Sequence, residues 1–95
     1  MQYLVIVYDY ENALDKRMEA RPAHVEATQE LMAQGKIISA VALIENEKMV
    51  GSSVVTNFDS EEEFDKWLEN EPYNVGKVWD MENIQIVSCK AMPKK

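Results

Sequence analysis

Residues Lys36–Phe58, KIISAVALIENEKMVGSSVVTNF, decide the fold. Two runs rich in Val, Ile and Leu flank the pair Asn46-Glu47. Runs of that composition and length read as strands. A two-residue polar link that begins with Asn reads as a tight hairpin turn. Lys36–Glu45 and Lys48–Phe58 are therefore expected to lie side by side, antiparallel. In the first of them Ile37, Val41 and Leu43 alternate with Ile38, Ala40, Ala42 and Ile44, so both faces are apolar. A sheet with one wet face would carry a polar residue at every second position.

Upstream, Pro22–Gln34 reads as a helix that Gly35 terminates in the left-handed conformation. Ala13–Ala20 has two readings. It is an earlier helical turn, opened by Asn12 with Asp15 three residues on, or the first part of one longer helix that Pro22 kinks. Gln2–Asp9 reads as a buried strand, with Leu4, Ile6 and Tyr8 alternating with Tyr3, Val5 and Val7. Downstream, Ser60 opens a second helix with Glu63 at capping-box spacing. Phe64, Trp67 and Leu68 form its apolar stripe, and Glu61, Glu62 and Glu63 suit the positive end of its dipole. Asn70–Trp79, with Pro72 and Gly76, reads as a loop holding one short helical turn. Ile84–Ala91 is the last strand.

The order β-α-β-β-α-β over a single domain, residues 1–95, is the α+β, ferredoxin-like arrangement. It implies a four-stranded antiparallel sheet with both helices on one face. Because the strands are apolar on both faces, the uncovered face needs a partner. A second copy of the same sheet is the economical one, so a homodimer joined sheet to sheet is expected, with Trp79 and Met81 at the contact.

Composition narrows the function. A net charge of −7 excludes a phosphate-rich partner, so neither nucleic acid nor an anionic membrane surface is expected. Cys89 is the only cysteine, hence no internal disulfide, and its place in an apolar run implies a buried, inert thiol. One His and one Cys make no metal set, and no cofactor is implied. With no basic leader or long apolar segment at the start, a cytoplasmic location is the default. Lys94 and Lys95 read as a solubilising end.

The chemistry centres on Arg21-Pro22-Ala23-His24, which contains the only histidine. If Pro22 starts a helix, His24 is its third residue, and the helix dipole there favours neutral imidazole, able to accept a proton. At about 100° per residue His24 shares the inward stripe with Ala27, Thr28, Leu31 and Met32. Arg17 and Arg21 lie just upstream and are able to hold an anion. The plainer alternatives are a structural histidine, and arginines paired with Asp15, Glu19 or Glu71.

These residues resemble the YciI-like (YCII-related) family over nearly the whole chain. The likeness rests on Met1–Asp9 as an opening strand ending in Asp, Leu14-x-Lys16-Arg17, Arg21-Pro22-Ala23-His24, Gly35, Gly51-Ser52-Ser53 and Pro72-Tyr73. The resemblance implies a dimeric ferredoxin-like α+β barrel similar to muconolactone isomerase. It also implies a His–Asp active site, and for some members a lyase reaction that removes chloride from a chlorinated aromatic. His24 carries over. The Asp of the family's Asp-Pro-Tyr is Glu71 here, Val41-Ala42 stand where many relatives have Gly-Pro, and the hairpin is shorter. Glu71 or Asp9 would orient the imidazole. Arg17 and Arg21 would bind a carboxylate or phenolate, and Tyr73 would donate a hydrogen bond or form a pocket wall.

Two functional classes follow. One is a cofactor-free lyase or isomerase, dehydrochlorinase-like, with His24 as general base acting on a small anionic or aromatic substrate. The other is a non-catalytic homodimer that binds a small ligand or a partner. Oxygen chemistry on the same barrel is a weaker third, by fold analogy; a haem would have to use His24.

Overall fold

The computed structural model describes residues 1–93. The Lys94–Lys95 tail therefore lies outside the described residues. The elements run β1 (Gln2–Tyr8), α1 (Leu14–Ala33), β2 (Ile37–Glu45), β3 (Lys48–Asn57), α2 (Glu61–Asn70), α3 (Pro72–Val75), a 3-10 turn (Met81–Asn83) and β4 (Gln85–Ser88). The four strands form one sheet in the order β2-β3-β1-β4, with every pairing antiparallel. This is the expected ferredoxin-like α+β topology.

The hairpin forms because Asn46 and Glu47 both adopt positive φ, 50° and 64°. That is the type I′ geometry whose twist matches the flanking strands. Gly51 sits on β3 opposite Tyr8 of β1, where there is no room for a side chain. A Cβ on it would lie 2.7 Å from the Val7 carbonyl oxygen and 3.1 Å from the Tyr8 Cα.

Pro22 does not begin a helix. α1 is one 20-residue helix that starts at Leu14, and Pro22 stands inside it. Its ring removes one donor and crowds the carbonyl four residues back, but the helix continues because its inner face is anchored on the sheet. Asn12, expected to cap an earlier turn, has φ of 59° and precedes Ala13, which caps the helix without a side-chain bond. At the other end Gly35, with φ of +76°, closes α1. The Lys36 N–H donates to the Leu31 carbonyl at 2.9 Å and the Gly35 N–H to Met32 at 3.1 Å, the paired bonds of a Schellman turn. α2 begins as expected: the Ser60 hydroxyl accepts from the Glu63 N–H at 3.1 Å. Glu63 returns its carboxylate to the Asp59 N–H at 3.0 Å.

Val5, Val7 and Val54 on the sheet, with Phe58, Phe64, Tyr73, Val78 and Trp79, form the core between the sheet and the helices. Trp67 packs against this cluster from a half-buried position. Trp79 was expected at a subunit contact; it is buried in the core instead, and its indole N–H donates to Ser52 Oγ at 3.1 Å. An indole brings both large apolar area and an obligate donor, so a buried acceptor fixes its place. β4 ends at Ser88, short of Ala91. Cys89 thus lies just past the strand and is half-buried rather than buried. On the face away from the helices Tyr8, Val41 and Val87 are exposed and Leu4 and Ile6 half-buried, so that face is apolar as the alternation requires. Among the described residues no helix is long and apolar enough to cross a membrane, and no group of metal-ligating side chains gathers.

Candidate active site

The inner stripe of α1 carries Arg17, His24 and Thr28, polar side chains where a helix packed on a sheet ordinarily places Leu or Val. Between this stripe and the helix-facing side of β2 and β3 lies a cavity of about 190 Å³. Arg17, Arg21, His24 and Thr28 line it from the helix, Ala40, Ala42, Ser52 and Val54 from the strands, and Tyr73 from α3.

His24 Nδ1 stands 2.8 Å from Glu71 Oε2, and the two side chains are only 13% and 1% exposed. Glu71 is held by the backbone on both sides. It closes α2 and opens α3, and its other carboxylate oxygen accepts the Tyr73 N–H at 2.7 Å. A carboxylate fixed in this way accepts a hydrogen from Nδ1, which leaves Nε2 as the basic nitrogen of the neutral ring. The imidazole also stacks on the Tyr73 ring, with centroids 4.0 Å apart and planes 19° apart. His24 is therefore oriented by a carboxylate and an aromatic face. The N-terminal dipole inferred from sequence plays no part, because His24 lies in the middle of α1.

Asp9 does not reach His24. Both its oxygens lie 3.0 Å from Arg17 Nη1, and this pair is buried, at 2% and 5% side-chain exposure. None of the sequence-derived partners Asp15, Glu19 or Glu71 holds Arg17. Burial pushes the Asp9 carboxyl up, and the Arg17 guanidinium partly offsets that rise. Arg17 Nη2 donates to Ser52 Oγ at 3.0 Å, and the guanidinium carbon lies 4.5 Å from the centre of the Tyr73 ring. Tyr73 is thus sandwiched between a cation and an imidazole. Burial raises its phenol, with Arg17 and Arg21 pulling the other way. Arg21 lines the cavity but remains exposed and has no ion pair among the described residues. It is the cation free to meet a ligand.

His24, Arg17, Arg21 and Tyr73 therefore line one cavity, Glu71 stands behind His24, and Asp9 stands behind Arg17. Sequence reasoning placed Thr28 on the inward stripe and Ser52 in the family likeness but named neither as a site residue. Both interrupt an apolar pattern on a face that proves to be buried, and that interruption is the signal that marks them.

Fold and site together define a ferredoxin-like α+β domain with a buried His–carboxylate pair on a cavity wall. The chain belongs to the YCII-related domain family, whose model matches residues 1–84. It is 30% identical over 87 residues to protein YciI of Escherichia coli, covering 84% of this chain and 89% of that protein. It is also 27% identical to aspercryptin biosynthesis cluster protein B of Emericella nidulans, across 99% of this chain and 68% of that one. Among solved structures it is similar to 5-chloro-2-hydroxyhydroquinone dehydrochlorinase (TftG) of Burkholderia phenoliruptrix, in complex with 2,5-dihydroxybenzoquinone. The TM-score is 0.81 at 21% identity, covering 95% of this chain and 94% of that one. At that identity the likeness establishes the fold.

Proposed function

We propose that this protein is a small cofactor-free lyase or isomerase that acts on a single-ring or similarly small anionic substrate, with His24 as general base. The observation that carries the reading is the 2.8 Å contact of buried Glu71 with Nδ1 of His24, which itself lines the cavity. In the reaction His24 Nε2 takes a proton from a substrate carbon or hydroxyl. Glu71 stabilises the imidazolium as it forms, and Tyr73 holds both groups in place. Arg21 attracts the anionic end of the substrate. The size suits one ring, since a cavity of about 150 Å³ holds benzene. The dehydrochlorinase named above, which shares the fold, supports chlorinated or hydroxylated aromatic compounds as the first substrates to try.

The test is turnover. Chlorinated hydroquinones and unsaturated lactones are offered to the protein, and chloride release or the ultraviolet spectrum is followed. A reactive substrate should lose on the order of 10²–10⁴ in rate with His24→Ala and a smaller factor with Glu71→Gln. Equal rates in His24→Ala and the parent chain would refute the assignment.

Quaternary structure belongs to the same proposal. The apolar sheet face around Tyr8, Val41 and Val87 is read as the contact with a second copy of the chain. Light scattering at micromolar concentration should give a dimer mass; a monomer would refute this part.

A further inference from the structure

Thr28 stands on α1, is 7% exposed, and lines the cavity from the helix side. A threonine inside a helix ordinarily turns its hydroxyl to water or back to the carbonyl four residues earlier. Asn70 makes a bond of that span to the Lys66 carbonyl at 2.8 Å, whereas the Thr28 hydroxyl has no hydrogen-bond partner among the described residues. Across the cavity stand Ala40 and Val54, which pair in register on β2 and β3 and carry no polar side-chain atom. The facing wall therefore offers the hydroxyl nothing. Valine has the same shape and would avoid the cost of burying a hydroxyl. Buried polar groups are nearly always satisfied, so this one calls for a partner that the occupant of the cavity brings. Spacing along α1 gives a second argument. Arg21, His24 and Thr28 follow one another at three and four residues, hence on one face, and all three line the cavity. Arg21 and Thr28 stand about 10 Å apart along the axis, at about 1.5 Å per residue, with His24 between them. That is the reach of one ring with a substituent at each end and the hydrogen bonds that hold them.

We propose that Thr28 is a ligand-binding residue that recognises a neutral oxygen, a hydroxyl or a carbonyl, at the end of the substrate ring remote from Arg21. The assignment rests on the cavity being the substrate site proposed above, and it narrows the substrate class. The class is small rings with an anionic group at one end and an uncharged oxygen substituent at the other. The ring between them lies beside His24. A hydroxyl both donates and accepts, so Thr28 serves either kind of oxygen. A methyl group at that place would leave Thr28 unpaired in a buried setting. Selection arises from that penalty, because a site built to hydrogen-bond a substituent rejects the analogue that lacks it.

The probes are 4-hydroxybenzoate and 4-methylbenzoate. Near neutral pH both carry a carboxylate for Arg21, and they differ only in the hydroxyl or methyl at the far end of the ring. Affinities are measured by calorimetric titration for the unmodified chain and for Thr28→Val, which keeps the shape and removes the hydroxyl, with folding checked by circular dichroism. The unmodified chain should bind 4-hydroxybenzoate about three- to tenfold more tightly than 4-methylbenzoate, the range of one hydrogen bond. Thr28→Val should abolish or reverse that preference, by weakening 4-hydroxybenzoate and leaving 4-methylbenzoate equal or tighter. If Thr28→Val does not fold, Thr28→Ala carries the same comparison. Equal affinities in the unmodified chain, or a preference that persists in the variant, would overturn the Thr28 assignment and leave the cavity standing. So would equal losses for both probes, the mark of a hydroxyl whose role is structural. Failure of the unmodified chain to bind either probe would remove the cavity reading and this inference together.

Discussion

Arg17→Met tests whether the polar cluster behind the site is held by charge. The substitution keeps most of the side-chain volume and removes the guanidinium. Asp9, whose side chain is 5% exposed, then loses the partner that both its oxygens touch at 3.0 Å. Breaking a buried pair from one side costs about 3–5 kcal/mol, because a charge stays buried without compensation. Ser52 also loses a donor and Tyr73 loses the cation on its face, which adds about 1 kcal/mol. A chain of this length has only about 5–14 kcal/mol of stability in total. The variant should therefore melt far earlier, by roughly 16–48 °C at about 4–8 °C per kcal/mol. Asp9→Leu alone strands Arg17 and should cost a similar amount. The double variant Arg17→Met/Asp9→Leu removes both charges and should lose less than the sum of the two single variants, by a coupling energy of about 2–3 kcal/mol.

The same cycle carries a pH signature. Burial already raises the Asp9 carboxyl, and Arg17 opposes that rise. Without Arg17 the folded-state value moves further above the unfolded one. A raised acid favours folding below the unfolded-state value and loses that contribution as pH climbs through the folded-state value. Arg17→Met should therefore be less destabilised near about pH 4 than near about pH 8. The assay is urea unfolding followed by the fluorescence of Trp67 and Trp79. Single variants that each lose under about 1 kcal/mol, with an additive double variant, would show that the pair carries no energy and refute the reasoning.

Three further substitutions test the fold. Gly51→Ala places a methyl 2.7 Å from the Val7 carbonyl oxygen, where the obstacle is backbone, and should cost about 1–3 kcal/mol by chemical unfolding. Glu47→Gly relieves a side chain held at φ of 64° in the hairpin and should stabilise the fold by about 0.5–1 kcal/mol, read as a higher melting temperature; a lower one would count against the type I′ turn. Pro22→Ala restores a backbone donor inside α1 and should stabilise by about 1–3 kcal/mol, less whatever the freer unfolded chain takes back. If Pro22→Ala instead destabilised the chain, the proline ring itself would be a packing requirement.

The order of elements was legible in the chain because each signal is local. Asn46-Glu47 can do little but turn between two β-branched runs, Gly35 can end a helix at positive φ, and Ser60 with Glu63 caps the next one. The identity of the acid beside His24 was half legible. The family likeness pointed to Glu71, while Asp9 stood as a second candidate. Three matters were decided by tertiary structure. Pro22 stands inside a helix because burial of the α1 stripe against the sheet outweighs the local cost of a missing donor. Asp9 went to Arg17 because the β1 terminus and the first turns of α1 are neighbours in space, a distance that no spacing along the chain encodes. Trp79 went inward because its indole N–H found Ser52 across the fold. Periodicity and turn chemistry act over a few residues, so sequence alone fixed the elements and their order. Which buried polar group meets which is settled only when distant segments share one low-dielectric space, where a donor without an acceptor is too costly to leave in place.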